Sequence, residues 1–144
     1  MTKYADLMRA LQQGKVHPLY LFFGDEEYLI QEAVDRLKES VVDSGSRDFN
    51  FDTVYGRGGA GAEIVSLCQT LPFMAERRLV IVKDVDTLKA ADLDQLLVYL
   101  KDPSPGTCLV LIANQPRYDK RSVIAAVEDR GSVTRFYALL DREM

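Results

Sequence analysis

The chain has 144 residues, of which 47% are hydrophobic and 28% are charged, a composition typical of a single soluble globular domain. Its 18 Lys and Arg residues and 22 Asp and Glu residues give a net charge of -4, which argues against unaided binding to DNA or to a membrane surface. Because no apolar run approaches the roughly 18 residues of a membrane-spanning helix, we expect a cytoplasmic protein without a membrane partner.

Apolar residues recur at helical spacing in some segments and form short continuous or alternating runs, typical of strands, in others. In chain order the pattern predicts a helix at 4–11, a strand at 19–23, a helix at 30–41, a strand at 49–55, a helix at 64–71, a strand at 79–82, a helix at 93–100, a strand at 108–112, a helix at 123–127 and a strand at 133–137. Three strands, at 19–23, 79–82 and 108–112, are apolar throughout, which predicts central positions in a covered sheet. The strand at 49–55 alternates apolar with polar residues, which predicts an edge strand with one wetter face.

This order of elements predicts the fold class. After an opening helix, five strands are separated by four helices through short connections. That pattern is typical of an α/β fold, a five-stranded parallel sheet with helices on both faces. Right-handed crossovers make such a sheet doubly wound, and ligands bind it beyond the carboxyl ends of the strands. We therefore expect three loops at that edge to carry any chemistry.

The first loop, Gly24–Ile30, occupies the place of a phosphate-binding P-loop. Leu29 stands where the second glycine of that motif should be, and Ile30 stands where its lysine should be. The three acidic residues at 25–27 would repel a triphosphate and would satisfy the positive end of the helix dipole. The sequence thus favours helix-capping residues over an acidic metal site.

The second loop, Gly56–Gly61, matches the dinucleotide-binding pattern G-x-G-x-x-G, and Asp84 follows the next strand. One hypothesis is therefore a dinucleotide-binding enzyme domain, and another is a regulatory nucleotide-binding module. The pattern normally follows a central, fully buried strand, whereas this loop follows the predicted edge strand. The sequence favours a mobile glycine-rich loop over a cofactor site.

The third loop, Leu71–Arg78, carries two large apolar side chains, Phe73 and Met74, between a helix and a buried strand. Two interpretations are open. The side chains fold back over the core, or they form an exposed tip that fills a groove on a partner, a task that suits an aromatic ring beside a pliable methionine.

Catalytic groups are scarce in this sequence. His17 is the single histidine. Cys68 and Cys108 are far apart in the sequence, so we predict that both are buried as small hydrophobic residues in a reducing compartment. Polar residues that follow the apolar strands occupy the places of Walker-B and sensor residues, namely Asp84, Asp86 and Asn114. Without a phosphate loop these residues have no Mg²⁺-nucleotide to hold, which favours turn chemistry. We predict no catalytic site, cofactor or metal.

Three stretches, Pro18–Ile30, Leu67–Val82 and Leu97–Leu111, resemble the opening domain of the bacterial DNA polymerase III delta subunit. The resemblance covers nearly the whole chain, although the run Gly56–Gly61 is no part of the family pattern. It implies a P-loop NTPase or AAA+-like domain with a degenerate phosphate loop. It also implies that residues 1–144 are the N-terminal, clamp-interacting domain, without the lid and collar domains of the full-length protein.

The same resemblance implies a function in the clamp loader, which opens the ring-shaped sliding clamp and places it on primed DNA. In this family an apolar plug between the third helix and the next strand enters a pocket on the clamp, the beta subunit. The matching positions are Phe73 and Met74, with Leu71 beside them. Sister subunits bind and hydrolyse ATP, and contacts with gamma/tau and delta prime lie mainly in the absent C-terminal domain. Delta is a non-catalytic subunit that meets DNA only within the complex.

Overall fold

A computed structural model describes residues 1–58 and 61–137. The elements, in chain order, are α1 (Tyr4–Gln12), β1 (Leu19–Gly24), α2 (Glu27–Val41), α3 (Arg47–Asn50), β2 (Phe51–Tyr55), α4 (Gly61–Gln69), β3 (Arg78–Lys83), α5 (Ala90–Lys101), β4 (Thr107–Ala113), α6 (Arg121–Arg130) and β5 (Ser132–Phe136). Two short 3-10 turns, Ser44–Ser46 and Val85–Thr87, precede α3 and follow β3. In these described residues no helix is both long enough and apolar enough to cross a membrane.

The strands of the described residues form one parallel sheet in the order β2-β3-β4-β1-β5. The three strands predicted to be central, β1, β3 and β4, occupy the middle of the sheet, and nearly all of their residues are buried. Strand β2 lies at an edge and is partly exposed, as its alternating sequence predicted. The predicted parallel α/β sheet is confirmed.

Helices cover both faces of the sheet, because alternate residues of each central strand project to opposite sides. On one face Leu21 and Val82 pack in the cluster that holds the apolar residues of α4, α5 and α6. On the other face Phe22 and Ile81 pack in the cluster that holds the apolar residues of α1 and α2. Both faces must therefore be apolar in the central strands, which is why their sequences lack alternation.

The connections that leave the neighbouring strands β1 and β4 run over opposite faces of the sheet. The connection from β1 begins with α2 on one face, whereas the connection from β4 passes through α6 on the other. In this fold class a crevice lies beyond the carboxyl ends of two such strands. Gly24 ends β1 there with a φ of 142°, and a Cβ at this position would collide with the carbonyl oxygen of Phe136. Only glycine lets the carboxyl end of β1 approach the backbone of β5 so closely.

Two expectations from the sequence were wrong. The strand predicted at 49–55 begins at Phe51, because Phe49 and Asn50 belong to the helical turn α3. Asn50 is not on a wet strand face but is fully buried. The loop Leu71–Arg78 does not lie at the carboxyl edge of the sheet. It leads from α4 into β3 and so lies at the amino ends of the strands, on the opposite side of the sheet from the first two loops. We call these two sides the amino edge and the carboxyl edge of the sheet.

Candidate functional site

A small crevice lies beside the start of α2, at the carboxyl ends of β3 and β4. Its lining comes from α2 and from the ends of β3 and β4, and consists of Glu27, Ile30, Gln31, Lys83, Ile112 and Asn114. Its volume of about 150 Å³ is below the roughly 300–1,000 Å³ of typical ligand pockets. Glu26 occupies the N-cap position of α2 and Glu27 its first turn, so carboxylates stand where a P-loop would present backbone amides and a lysine.

Of the polar residues at the strand ends, Asp84 and Asp86 belong to the turn after β3, whereas Asn114 lines the crevice beyond β4. Asp84 follows β3 in the left-handed region, with a φ of 55°, and begins the 3-10 turn Val85–Thr87. The Thr87 hydroxyl donates to the Asp84 carbonyl oxygen over 2.7 Å, which is the turn chemistry that the sequence favoured. Burial raises the pKa of the Tyr118 hydroxyl, and the nearby charge of Asp86 raises it further.

His17 lies just before β1 and contacts an aromatic neighbour. Its backbone N–H donates to the hydroxyl of Tyr20 over 2.9 Å, and its ring packs edge-on against the Tyr20 ring with centroids 5.7 Å apart. Within the described residues no group of three or more His, Cys, Asp or Glu side chains could hold a metal ion. The contacts with Tyr20 give His17 a packing role at the start of the strand.

Close packing against neighbouring backbone explains the first and last glycines of the run between β2 and α4. A Cβ at Gly56 would collide with the carbonyl oxygen of Asp84, and a Cβ at Gly61 would collide with that of Asp92. The Gly61 N–H also donates to the Asp92 carboxylate over 3.0 Å. Residues 59 and 60 lie outside the described residues, so the mobile loop stays a prediction. The run follows an edge strand, away from the crevice in which this fold class binds dinucleotides.

The amino edge of the sheet carries an exposed apolar surface. The side chains of Leu71, Phe73 and Met74, which we call the apolar tip, are 83%, 53% and 86% exposed. Phe49 of α3 is 61% exposed, and its ring lies against that of Phe73 with centroids 5.1 Å apart. The interpretation in which Phe73 and Met74 cover the core is therefore wrong, and both belong to an exposed tip.

Asn50 connects α3 to the apolar tip. Its side-chain amide donates to the carbonyl oxygen of Phe73 over 2.8 Å, and its side-chain oxygen accepts from the Phe73 N–H over 2.7 Å. Both polar groups of the Phe73 backbone are thus bonded to one side chain that is itself 0% exposed. Paired in this way, the buried amide of Asn50 incurs little desolvation penalty.

The segments that flank the tip are packed closely. A Cβ at Gly106 would crowd the ring of Pro72, since it would lie 3.1 Å from the proline Cδ. The Arg78 N–H donates to the Gly106 carbonyl oxygen over 2.9 Å, and the buried Arg78 guanidinium forms an ion pair with Asp52 of β2. The tip therefore projects from a base that is held by β2 and by the turn before β4.

Sequence reasoning found the apolar residues of the tip but missed Phe49 and Asn50. The alternation of the segment led to both being assigned to a strand. The hydrogen bonds of Asn50 reach a residue 23 positions away, and no local spacing signals such a contact.

Comparison with known proteins identifies the family of this chain. Residues 20–135, most of the sequence, match the family model described as DNA polymerase III, delta subunit. The chain belongs to the DNA polymerase III delta-subunit family. A curated relative, the DNA polymerase III subunit delta of Bacillus subtilis (strain 168), is 36% identical over 124 residues. The match covers 81% of this chain and 36% of that protein, so the chain spans about a third of its relative's length.

Solved structures agree with this assignment. The Bacillus subtilis DNA clamp loader delta protein superimposes with a TM-score of 0.87 and 32% identity, covering 97% of this chain and 44% of that one. A gamma subunit-related protein of DNA polymerase III from Thermotoga maritima gives a TM-score of 0.64 at 14% identity, with coverage of 94% and 47%. The Thermotoga maritima RuvB Holliday junction branch migration motor gives 0.53 at 14%, with coverage of 95% and 44%. The last two show a shared AAA+-like α/β fold alone.

Proposed function

We propose that this delta-family chain binds the ring-shaped sliding clamp through the apolar tip and helps to open the ring for loading onto primed DNA. The observation that carries the proposal is the tip itself, three large apolar side chains exposed on a loop whose base is held by neighbouring elements. An exposed apolar patch on a folded domain commonly marks a protein interface. Membership of the delta-subunit family, and similarity to a DNA clamp loader delta protein, support the sliding clamp as the partner.

Burial of the tip supplies the binding energy in this proposal. Each large apolar side chain contributes about 1.5–3 kcal/mol when it moves from water into an apolar pocket. The ring opens only as far as the tip prefers the open state of the clamp to the closed state, because a ligand shifts an equilibrium by its differential affinity. A tip that enters a pocket near a clamp interface, and fits it better when that interface is distorted, would act in this way.

In this proposal the chain neither binds nor hydrolyses ATP. The acidic start of α2 occupies the place of the phosphate loop, and sister subunits supply the ATPase activity. Residues 1–144 act as the N-terminal domain of a longer cytoplasmic protein whose lid and collar domains contact gamma/tau and delta prime. The net charge of -4 argues against DNA contact by this chain outside the assembled complex.

Removal of the two central side chains of the tip tests the proposal. We expect the double variant Phe73→Ala/Met74→Ala to bind purified sliding clamp with 3–5 kcal/mol less free energy, roughly a few hundred- to a few thousand-fold weaker. The fold should persist, because both side chains point outward. Clamp affinity and thermal unfolding should be measured on the same samples.

Val98→Ala is the matched control, since Val98 is an exposed apolar side chain on α5, outside the tip. It should leave clamp affinity unchanged. A well-folded Phe73→Ala/Met74→Ala variant that binds the clamp like the parent chain would contradict the proposed site.

A further inference from the structure

We propose that Asn50 is a positioning residue that holds the apolar tip in the conformation that binds the clamp. This role rests on the proposed function of the tip. The side chain of Asn50 does not reach the surface, so it acts through Phe73 and not by touching a partner.

The first line of evidence is how completely Asn50 is engaged with one residue of the tip. Its amide nitrogen and its amide oxygen bond the carbonyl oxygen and the N–H of Phe73, at 2.8 and 2.7 Å. Two hydrogen bonds to both polar groups of one residue restrain the backbone on either side of its Cα, as a neighbouring strand would. Asn is suited to this task because its short side chain carries both a donor and an acceptor.

The second line of evidence is the backbone conformation that follows Phe73. Met74 has a φ of 52°, in the left-handed region that residues other than glycine rarely adopt. Such a conformation persists where surrounding contacts impose it. The Asn50 bonds and the contact between the Phe49 and Phe73 rings lie directly beside this strained residue. Through these contacts α3 fixes the backbone conformation of the tip and its orientation relative to the domain.

A tip that is already ordered binds a preformed pocket more tightly than a tip that must become ordered on binding. The apparent dissociation constant equals the intrinsic constant divided by the fraction of molecules in the competent conformation. Loss of two hydrogen bonds of ordinary net strength would reduce that fraction to about a tenth or less. We therefore expect Asn50→Ala to weaken clamp binding about tenfold, far less than removal of the tip side chains.

The experiment measures clamp affinity, thermal unfolding and hydrogen exchange of the Phe73 amide in the same chain. In Asn50→Ala the Phe73 amide should exchange at least tenfold faster and the clamp should bind about tenfold more weakly. Asn50→Ser, which keeps one hydroxyl group for hydrogen bonding and buries no charge, should give intermediate values and is the second variant if Asn50→Ala does not fold. Ser132→Ala removes the hydrogen bond from Ser132 of β5 to Thr2, on the opposite side of the sheet from β2, and should change neither readout.

A combination of variants separates positioning from general destabilisation. When Asn50→Ala is added to Phe73→Ala/Met74→Ala, clamp affinity should fall little further, because Asn50 acts through the side chains already removed. If a folded Asn50→Ala variant binds the clamp like the parent chain while Phe73→Ala/Met74→Ala binds weakly, Asn50 has no positioning role and the proposed function stands. If Phe73→Ala/Met74→Ala itself binds normally, the proposed function fails, and this role fails with it.

Discussion

Both thiols of the chain lie in the core, on opposite faces of the sheet. Cys68 of α4 packs in the cluster beneath α4, α5 and α6, whereas Cys108 of β4 packs in the cluster beneath α1 and α2. Burial raises the pKa of each thiol from 9.0 to about 12. The two residues therefore serve as small apolar side chains, as their separation in the sequence predicted.

These raised pKa values predict that the free energy of unfolding falls as the pH rises above about 9. Below that pH both native and unfolded chains keep the thiols protonated, and the thiols add no pH dependence. Above it the unfolded chain loses the protons while the native chain retains them up to about 12, which favours the unfolded state. At about pH 10.5 each thiol should lower the free energy of unfolding by about 2 kcal/mol, as measured by urea unfolding.

The double variant Cys68→Ala/Cys108→Ala is the control for this prediction. It should be less stable near neutral pH, because shortened side chains leave small cavities in the core. Its stability should nevertheless fall less steeply between about pH 9 and 10.5, since only groups such as Tyr99, whose pKa burial raises to about 12, still titrate there. Equal slopes for the two proteins would show that the thiols do not govern the alkaline instability.

The residues of the tip could be predicted from the sequence only in part. Phe73 and Met74 could be singled out because large apolar residues in a loop are unusual, but their exposure could not be derived from the residues alone. Asn50 was misread as a solvent-facing strand residue. Its partner is the backbone of Phe73, and a backbone partner leaves no signature in side-chain chemistry.

Among the elements, the glycine-rich connection from β2 to α4 is explained by close packing at its two ends. We expect Gly56→Ala and Gly61→Ala each to destabilise the fold by roughly 2–3 kcal/mol, because the added Cβ would collide with a carbonyl oxygen after β3 or in α5. Gly58→Ala should cost only about 1 kcal/mol, from its φ of 76°, since a Cβ there meets open space. Urea unfolding of the three variants measures the contrast.

The dinucleotide hypothesis makes a different forecast for the same loop. If the loop held a dinucleotide, Gly58 would be needed for cofactor binding as much as Gly56 and Gly61. NAD or FAD would then raise the melting temperature of the parent chain. We expect no such increase. Co-purification of either cofactor, or a melting temperature that rises with added NAD or FAD, would overturn the packing explanation.

The elements were predictable wherever apolar residues repeat over two or more turns or fill a whole strand. The strands at 19–23, 79–82 and 108–112 were placed correctly because burial on both faces leaves an unbroken apolar run. Helix α3 spans only Arg47–Asn50, too short for any periodicity. The position of the loop Leu71–Arg78 was available from topology, since a connection from a helix into a parallel strand must arrive at that strand's amino end.

At the scale of the whole molecule, the two edges of the sheet have opposite character. The carboxyl edge, where this fold class usually binds ligands, has a small crevice beside the acidic start of α2. The amino edge presents the apolar tip on a base held by α3 and by the turn before β4. In the proposed function, a fold that commonly holds nucleotides would instead bind a protein partner at the amino ends of its strands, opposite the crevice.

This division predicts that the chain does not bind Mg-ATP. A P-loop needs glycines whose amides face the phosphates and a lysine that meets their charge, whereas Leu29 and Ile30 occupy those positions in α2. Isothermal titration calorimetry with Mg-ATP should give no saturable heat at micromolar concentrations. The variant Glu26→Gln/Glu27→Gln should also give none, because removal of the repelling carboxylates does not restore the amides and the lysine. Binding by that variant alone would show that charge repulsion is the sole obstacle, and saturable micromolar binding by the parent chain would contradict the proposal that only sister subunits use ATP.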